Sequence, residues 1–147
     1  MKTFLPKICP KCNETKLPKD FHKDTRNKTG LTSWCNSCRR AKTKEWIKNN
    51  PEKAKKSRRN TSLKRMYGIT LNDYGELLKN QNFCCAICKT KEPGGQGNIF
   101  VVDHCHLTNK VRALLCVKCN CAIGLLNEDP LLFDSAKKYL EKYRQNC

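Results

Sequence analysis

Eight cysteines stand in four C-x-x-C pairs: Cys9 with Cys12, Cys35 with Cys38, Cys85 with Cys88, and Cys116 with Cys119. A gap of two residues lets a tight turn aim both sulfurs at one ion, and two such pairs complete a tetrahedral thiolate site. Joining neighbouring pairs gives two structural Zn²⁺ sites, one in each half of the chain. The segment inside each site is expected to build the hairpin that returns the second pair. A redox dithiol would need a βαβ context, which the sequence lacks. Cys84, Cys105, Cys121 and Cys147 are left as ordinary thiols, with a third metal site from Cys105, His106 and Cys121 as the alternative.

Inside the second cysteine loop runs Ile99-Phe100-Val101-Val102-Asp103-His104-Cys105-His106, a β-rich segment ending in a carboxylate and two imidazoles. Hydrolysis of a nucleic acid needs a hard cation to neutralise phosphate and leaving oxygen, and a base to strip a proton from water. Asp and His can supply both. Taken alone, an Asp-His pair is a surface pair by default, but its position between metal-type cysteine pairs in a strongly basic chain reverses that preference. Successive strand residues point to opposite faces, so Asp103 and His104 can converge on one phosphate only at a strand end or a bulge.

The elements that must position these residues follow from the flanking signals. Pro93-Gly94-Gly95 and Gly97 turn the chain into the first strand, and Leu107 to Lys110 turn it into a second, Val111 to Leu115. That strand delivers Cys116 and Cys119, and Asn120 follows at the start of a short helix. A metal there would fix the hairpin against the helix and bring Asn120 near Asp103.

Composition supports this division of labour. Twelve of 147 residues are Cys, and once they are set aside the 38% hydrophobic class is thin for a self-sufficient core, so bound metal has a structural task. Lys and Arg total 30 against 13 Asp and Glu, a net charge of +17, with a pI near 9.5. Such a balance favours a polyanion, nucleic acid first and an anionic membrane surface second. No apolar run suits a signal peptide or a membrane helix, which leads us to expect a reduced, cytoplasmic setting and no membrane partner.

The most basic stretch, Arg39 to Met66, carries twelve Lys and Arg against Glu45 and Glu52. Asn50-Pro51 reads as an N-cap followed by the first helical position, so a break near Asn49 and a second helix to about Tyr67 are predicted. With so few apolar residues this helix is expected to stay out of the core and act as a phosphate-binding arm, or else as a solvated linker. Gly68 ends it, and Thr70 with Asp73 resembles a capping box opening the next helix, whose Leu71, Tyr74 and Leu78 read as core. Asp129-Pro130 opens a last helix whose Leu132, Ala136, Tyr139, Leu140 and Tyr143 form one stripe. We expect it to lie as a lid over the C-terminal domain, with a dimer interface as the alternative.

From about Tyr67 to Pro130 the chain resembles the recombination endonuclease VII family of bacteriophages, a branch of the HNH or ββα-metal nucleases. The residues that carry the resemblance are Tyr67-Gly68-Ile69-Thr70, Cys85-Ala86-Ile87-Cys88, Val102-Asp103-His104-Cys105-His106, Val111 to Cys116, and Cys119-Asn120 followed by Gly124-Leu125. Cys9-Pro10-Lys11-Cys12, Phe21 and Trp34-Cys35-Asn36-Ser37-Cys38 resemble a small zinc module that precedes such nucleases. The resemblance implies that Asp103 and Asn120 hold a catalytic Mg²⁺ or Mn²⁺, that His104 is the general base, and that His106 orients a phosphate. Cys85, Cys88, Cys116 and Cys119 become structural zinc ligands. Ile123 stands where the best-known members carry Glu, so that carboxylate is either missing or supplied from elsewhere, with Glu128 and Asp129 as candidates. Arg112 is open between a charge-stabilising role and a plain strand-edge arginine.

The expected fold class is therefore a small, zinc-stabilised α+β protein with a zinc-ribbon-like module over 1–48 and a basic helical linker over 49–68. The resemblance adds a ββα-metal (HNH, treble-clef-like) nuclease domain over 69–147. The implied function is one-metal hydrolysis of phosphodiester bonds in DNA, gripped through its phosphate backbone, with branched or recombining phage DNA as a candidate substrate and the host cytoplasm as the location. Monomer and dimer stay open. The competing readings are a non-catalytic zinc-dependent nucleic-acid binder and a zinc-stapled scaffold for acidic proteins.

Overall fold

The computed structural model describes residues 5–144; Cys147 lies outside them. Two compact units divide between Arg58 and Arg59. None of the described helices is long and apolar enough to cross a membrane.

In the first unit, strands β1 (Lys7–Ile8) and β2 (Thr15–Lys16) pair antiparallel around a tight turn that carries Cys9 and Cys12. The turn is closed by Cys9 N donating to Glu14 O and Asn13 N donating to Cys9 O, with Asn13 in the left-handed region at φ 56°. Asn tolerates that conformation because its short polar side chain hydrogen-bonds locally. A single 3₁₀ turn, Pro18–Asp20, and an isolated bridge between Lys23 and Leu31 fill the spacer. The second cysteine pair then arrives on a helix: Cys35 is the N-cap of α1 (Asn36–Asn49) and Cys38 lies in its first turn. The spacer, expected to form a hairpin, holds that antiparallel bridge, and the pair it returns sits at a helix start. Amide N–H groups at a helix N-terminus favour thiolate there. Cys9, Phe21, Leu31 and Cys35 form this unit's core, with Trp34 packed against it.

Asn50 ends α1, and α2 (Pro51–Tyr67) begins at the proline and stops at Gly68, whose φ of 70° closes the helix at no steric cost. The basic composition of α2 argues against a core role, yet Leu63 is buried in the core of the second unit. Asn60 Oδ1 accepts Leu71 N at 2.8 Å, and the Arg59 guanidinium lies 4.6 Å from the Tyr74 ring centroid. Tyr67, at the end of the same helix, packs against that core beside Leu63, so two apolar residues and these polar contacts dock an otherwise polar helix.

Helix α3 (Leu71–Asn80) opens on the Thr70–Asp73 capping box: Asp73 N donates to Thr70 Oγ1, and Thr70 N donates back to Asp73 Oδ2. The same bonds hold the Asp73 carboxyl below its usual range. Tyr74 is buried, and its hydroxyl donates to Phe100 O at 2.9 Å. Antiparallel strands β3 (Val101–His104) and β4 (Val111–Leu115) follow, then α4 (Val117–Leu125) and α5 (Pro130–Tyr143). The hairpin's β4 is fastened by Gln81, whose side chain donates to Leu114 O and accepts from Leu114 N, both at 2.8 Å, as a neighbouring strand would. Leu114, Leu115, Phe100 and Val102 fill the core beneath.

Asp129 caps α5 by accepting from Leu131 N at 2.9 Å. The stripe does not lie under a lid, however. Leu132, Tyr139, Leu140 and Tyr143 are all exposed, and none of the described residues of α5 is buried. The eight buried residues of this unit's core come from α2, α3, the hairpin and its flanking cysteines, and α5 contributes none of them.

Candidate active site

Two cysteine tetrads could each hold one ion. Cys9, Cys12, Cys35 and Cys38 have their sulfurs within 4.8 Å of one another, as do Cys85, Cys88, Cys116 and Cys119. Cys12 and Cys35 sulfurs lie 4.0 Å apart, and those of Cys88 and Cys116 lie 3.7 Å apart. A tetrahedron of ~2.3 Å metal–sulfur bonds has edges of ~3.8 Å, whereas a disulfide requires ~2.05 Å.

Both tetrads are assembled the same way. Cys85 N donates to Thr90 O, Lys89 N donates to Cys85 O, and Lys89 sits at φ 61°, repeating the Cys9 turn bond for bond. Cys116 then repeats Cys35 as an N-cap, its sulfur accepting from Cys119 N at 3.5 Å. Protons are unevenly shared. Burial opposes ionisation of Cys9 and Cys85, but surrounding backbone N–H donors outweigh it and bring both thiols down to about 6. Burial together with the adjoining sulfurs pushes Cys38 and Cys119 up to about 12. Four sulfurs this close do not all ionise without a cation among them.

The second tetrad braces a pocket of about 130 Å³ whose lining includes Tyr67, Asp103, His104, His106, Asn120 and Glu128. These come from the end of α2, the end of β3, the turn beyond it, α4 and the loop after α4. Convergence at the end of β3 depends on a bulge. Asp103 pairs with Ala113 but His104 pairs with Val111, so Arg112 is skipped and the register shifts between Asp103 and His104. Beyond it the chain makes the cysteine-type turn a third time: Cys105 N donates to Lys110 O, Asn109 N to Cys105 O, and Asn109 lies at φ 56°. Thr108 stands where a second cysteine would, and its hydrogen bonds lower the Cys105 thiol. The turn returns His106 across the hairpin, with its ring 5.0 Å from that of His104.

His104 is held by ring contacts alone among the described residues, edge-on to Tyr67 at 5.3 Å and tilted against His106. Its ring nitrogens are therefore uncommitted. Asn120 is half-buried and its side-chain amide also has no protein partner among the described residues. Asp103 is the buried carboxylate of the second unit, and both its oxygens accept from Arg112, at 2.7 Å from Nε and 2.9 Å from Nη2. Arg112 also donates to Glu128 Oε2 at 2.9 Å, while Glu128 Oε1 lies 3.3 Å from His106 Nδ1. Hydrogen bonds donated to Asp103 and then to Glu128 hold the guanidinium charge firmly in place, raising its pKa.

The structure thus brings Asp103, His104, His106 and Asn120 to one pocket. Sequence reasoning did not find Tyr67 as a wall, nor the Asp103–Arg112–Glu128 chain. Glu128 swings in because Asn127 and Glu128 both take left-handed backbone, at φ 54° and 57°, and no sequence signal marks a non-glycine pair for that. Asp129 caps α5 instead of lining the pocket. Ile123 lines the pocket and packs against the core. Among the described residues Cys105, His106 and Cys121 do not gather as a third cluster, and Cys84 spends its thiol proton on Gln81 O.

Oxygen and amide donors of this kind suit a hard divalent cation. A carboxylate offers about four lone-pair sites, and Arg112 uses two on Asp103, so the pocket's donor set fits such an ion with the arginine still bound.

Residues 60–142, more than half of the chain, match the family model described as recombination endonuclease VII. The "Gene 59 protein" of Mycobacterium phage L5 is 36% identical over 75 residues, covering 50% of this chain and 44% of that protein. Its namesake from Mycobacterium phage D29 is 41% identical over 54 residues, covering 37% and 32%. The chain therefore spans less than half the length of either relative. Among solved structures, the ββα-Me type II restriction endonuclease Hpy99I aligns over 94% of this chain and 66% of its own, at 21% identity and a TM-score of 0.37.

Proposed function

The chain belongs to the recombination endonuclease VII family, and from that membership we propose that it is a metal-dependent endodeoxyribonuclease of the ββα-metal (HNH) kind. One observation carries the reading: an acid and an imidazole from the end of β3 and an amide from α4 line one small pocket braced by a cysteine tetrad. Two Zn²⁺ ions fill the tetrads, since four thiolates at tetrahedral spacing select that metal.

Asp103 and Asn120 hold a Mg²⁺ or Mn²⁺ ion, and Glu128 supplies the third oxygen donor that Ile123 cannot. When bound, that ion stabilises the charge developing on the departing 3′ oxygen. His104 takes the proton of the attacking water, and its freedom from protein hydrogen bonds leaves a nitrogen available for it. Tyr67 fixes the ring's direction, His106 orients a phosphate oxygen, and Arg112 holds the Asp103 carboxylate in place through both its oxygens. The domain limits we propose remain a zinc module over 1–48, a basic arm over 49–68 and the nuclease over 69–147.

The direct test is relaxation of supercoiled plasmid by zinc-loaded protein. Nicking with Mg²⁺ or Mn²⁺ and none without either is the expected result; intact plasmid under all conditions would instead favour the non-catalytic binder. That rival draws on one observation, that Arg112 already pairs with both pocket carboxylates. A four-way junction beside linear duplex of the same sequence asks whether branched DNA is preferred.

Glu128→Gln should raise the Mg²⁺ concentration for half-maximal cutting about 10–100-fold, the usual cost of losing a group that supports a metal site. Adding Ile123→Glu to that variant should lower it again, as read from the metal dependence of the nicking rate. Basic side chains along α1 and α2 grip the phosphate backbone. Duplex affinity should accordingly fall by orders of magnitude between roughly 50 and 200 mM salt, and a flat profile in a filter-binding titration would reassign these helices as linker.

A further inference from the structure

We propose that the first unit carries a separate binding site for single-stranded DNA, in which an unstacked base lies against Trp46 and Trp34 while Arg39 and Lys42 hold the flanking phosphates. The site is a groove of about 480 Å³ between α1 and the loop before it, within the ~300–1,000 Å³ range of small-molecule pockets. Arg39, Lys42, Thr43 and Trp46 are spaced i, i+3, i+4, i+7 and so share one face of α1. Trp34 closes the other side.

The fold has little use for this face. None of α1's residues is buried, and Trp46 is 46% exposed on a helix otherwise rich in Lys and Arg. Trp34, in contrast, is anchored against the unit's core and presents its remaining surface to the groove. Lys42 Nζ lies 4.8 Å and Lys11 Nζ 5.7 Å from the Trp34 ring centroid. The aromatic wall is therefore rimmed by cations, and no acidic residue lines it.

Charge complementarity selects a polyanion, and the paired indoles select one with exposed flat rings. Duplex DNA offers phosphates but hides its base faces. A single strand offers both, and bases stack on aromatic side chains without regard to sequence. This inference does not depend on the nuclease reading, because the groove lies in the other unit and binding can be measured where nothing is cut.

The chain's two tryptophans both line the groove, so intrinsic fluorescence reports on it alone. Zinc-loaded, full-length protein carrying His104→Ala is titrated with a short oligo-dT, with a duplex of equal length and with poly-glutamate. Oligo-dT should quench the tryptophans saturably. Adding Trp46→Ala should weaken oligo-dT binding roughly tenfold or more, as the loss of one stacked base predicts, while Trp46→Phe retains most of it. Duplex affinity should change less than twofold, and zinc content should be unaltered because Trp46 supports no buried contact. Absence of quenching by oligo-dT would overturn the proposal. So would equal quenching by duplex or by poly-glutamate, or a Trp46→Ala variant that weakens single strand and duplex alike.

Discussion

Cys116→Ser is expected to unfold the second unit while leaving the first intact. A structural zinc contributes about 10–16 kcal/mol of apparent folding free energy, against a net stability of about 5–15 kcal/mol for an ordinary domain. The core of this unit is small: its fully buried large side chains are Leu114 and Leu115, and both sit in the strand that leads into Cys116. Removing one thiolate therefore takes away more than the remaining contacts supply. Serine is the informative replacement because it keeps a good N-cap for α4, so any loss is due to the metal. Zinc content should fall from two ions to one per chain, and limited proteolysis should cut between residues 59 and 144. Trp34 and Trp46, both in the other unit, should keep their native fluorescence. A variant with one zinc and wild-type protease resistance would show that the tetrad is not what holds this unit together.

His104→Ala is expected to slow DNA cleavage by about 10²–10⁴-fold, the range for loss of a general base, with both zincs retained. The prediction is sharp because of how little His104 does for the fold. Its side chain is half-buried, makes no hydrogen bond among the described residues, and has ring contacts with Tyr67 and His106. Truncating it costs two edge contacts, and DNA affinity, carried by the basic helices, should stay within a few fold. A variant that cuts at the wild-type rate would transfer the base to another group, and His106, 3.3 Å from Glu128, would be next in line. A variant that loses zinc would show instead that the ring is structural.

Much of this could be read in advance because it depends on short-range chemistry. Asn50-Pro51, Thr70 with Asp73, and Asp129-Pro130 each mark a helix start through groups no more than three residues apart, and all three helices begin there. The cysteine pairs are equally local. The requirement for a strand end or bulge at Asp103-His104 came from the two-residue strand period, and the register does shift there. What stayed hidden depends on tertiary placement. Nothing near Arg112 says that its guanidinium will bridge Asp103, nine residues back, and Glu128, sixteen ahead. Leu63 is one apolar residue in a basic helix, and its burial is decided by Asn60 and Arg59 meeting α3. The α5 stripe misled because periodicity tells which residues share a face but not whether anything covers it.

The most direct measurement is the position of the hard cation. Crystals of zinc-loaded protein soaked in Mn²⁺ would be examined by anomalous scattering at an energy between the manganese and zinc absorption edges. The account predicts a manganese peak in the pocket bounded by Asp103 and Asn120, apart from both cysteine tetrads. Cleavage-competent protein whose manganese binds only elsewhere, with that pocket empty, would contradict it.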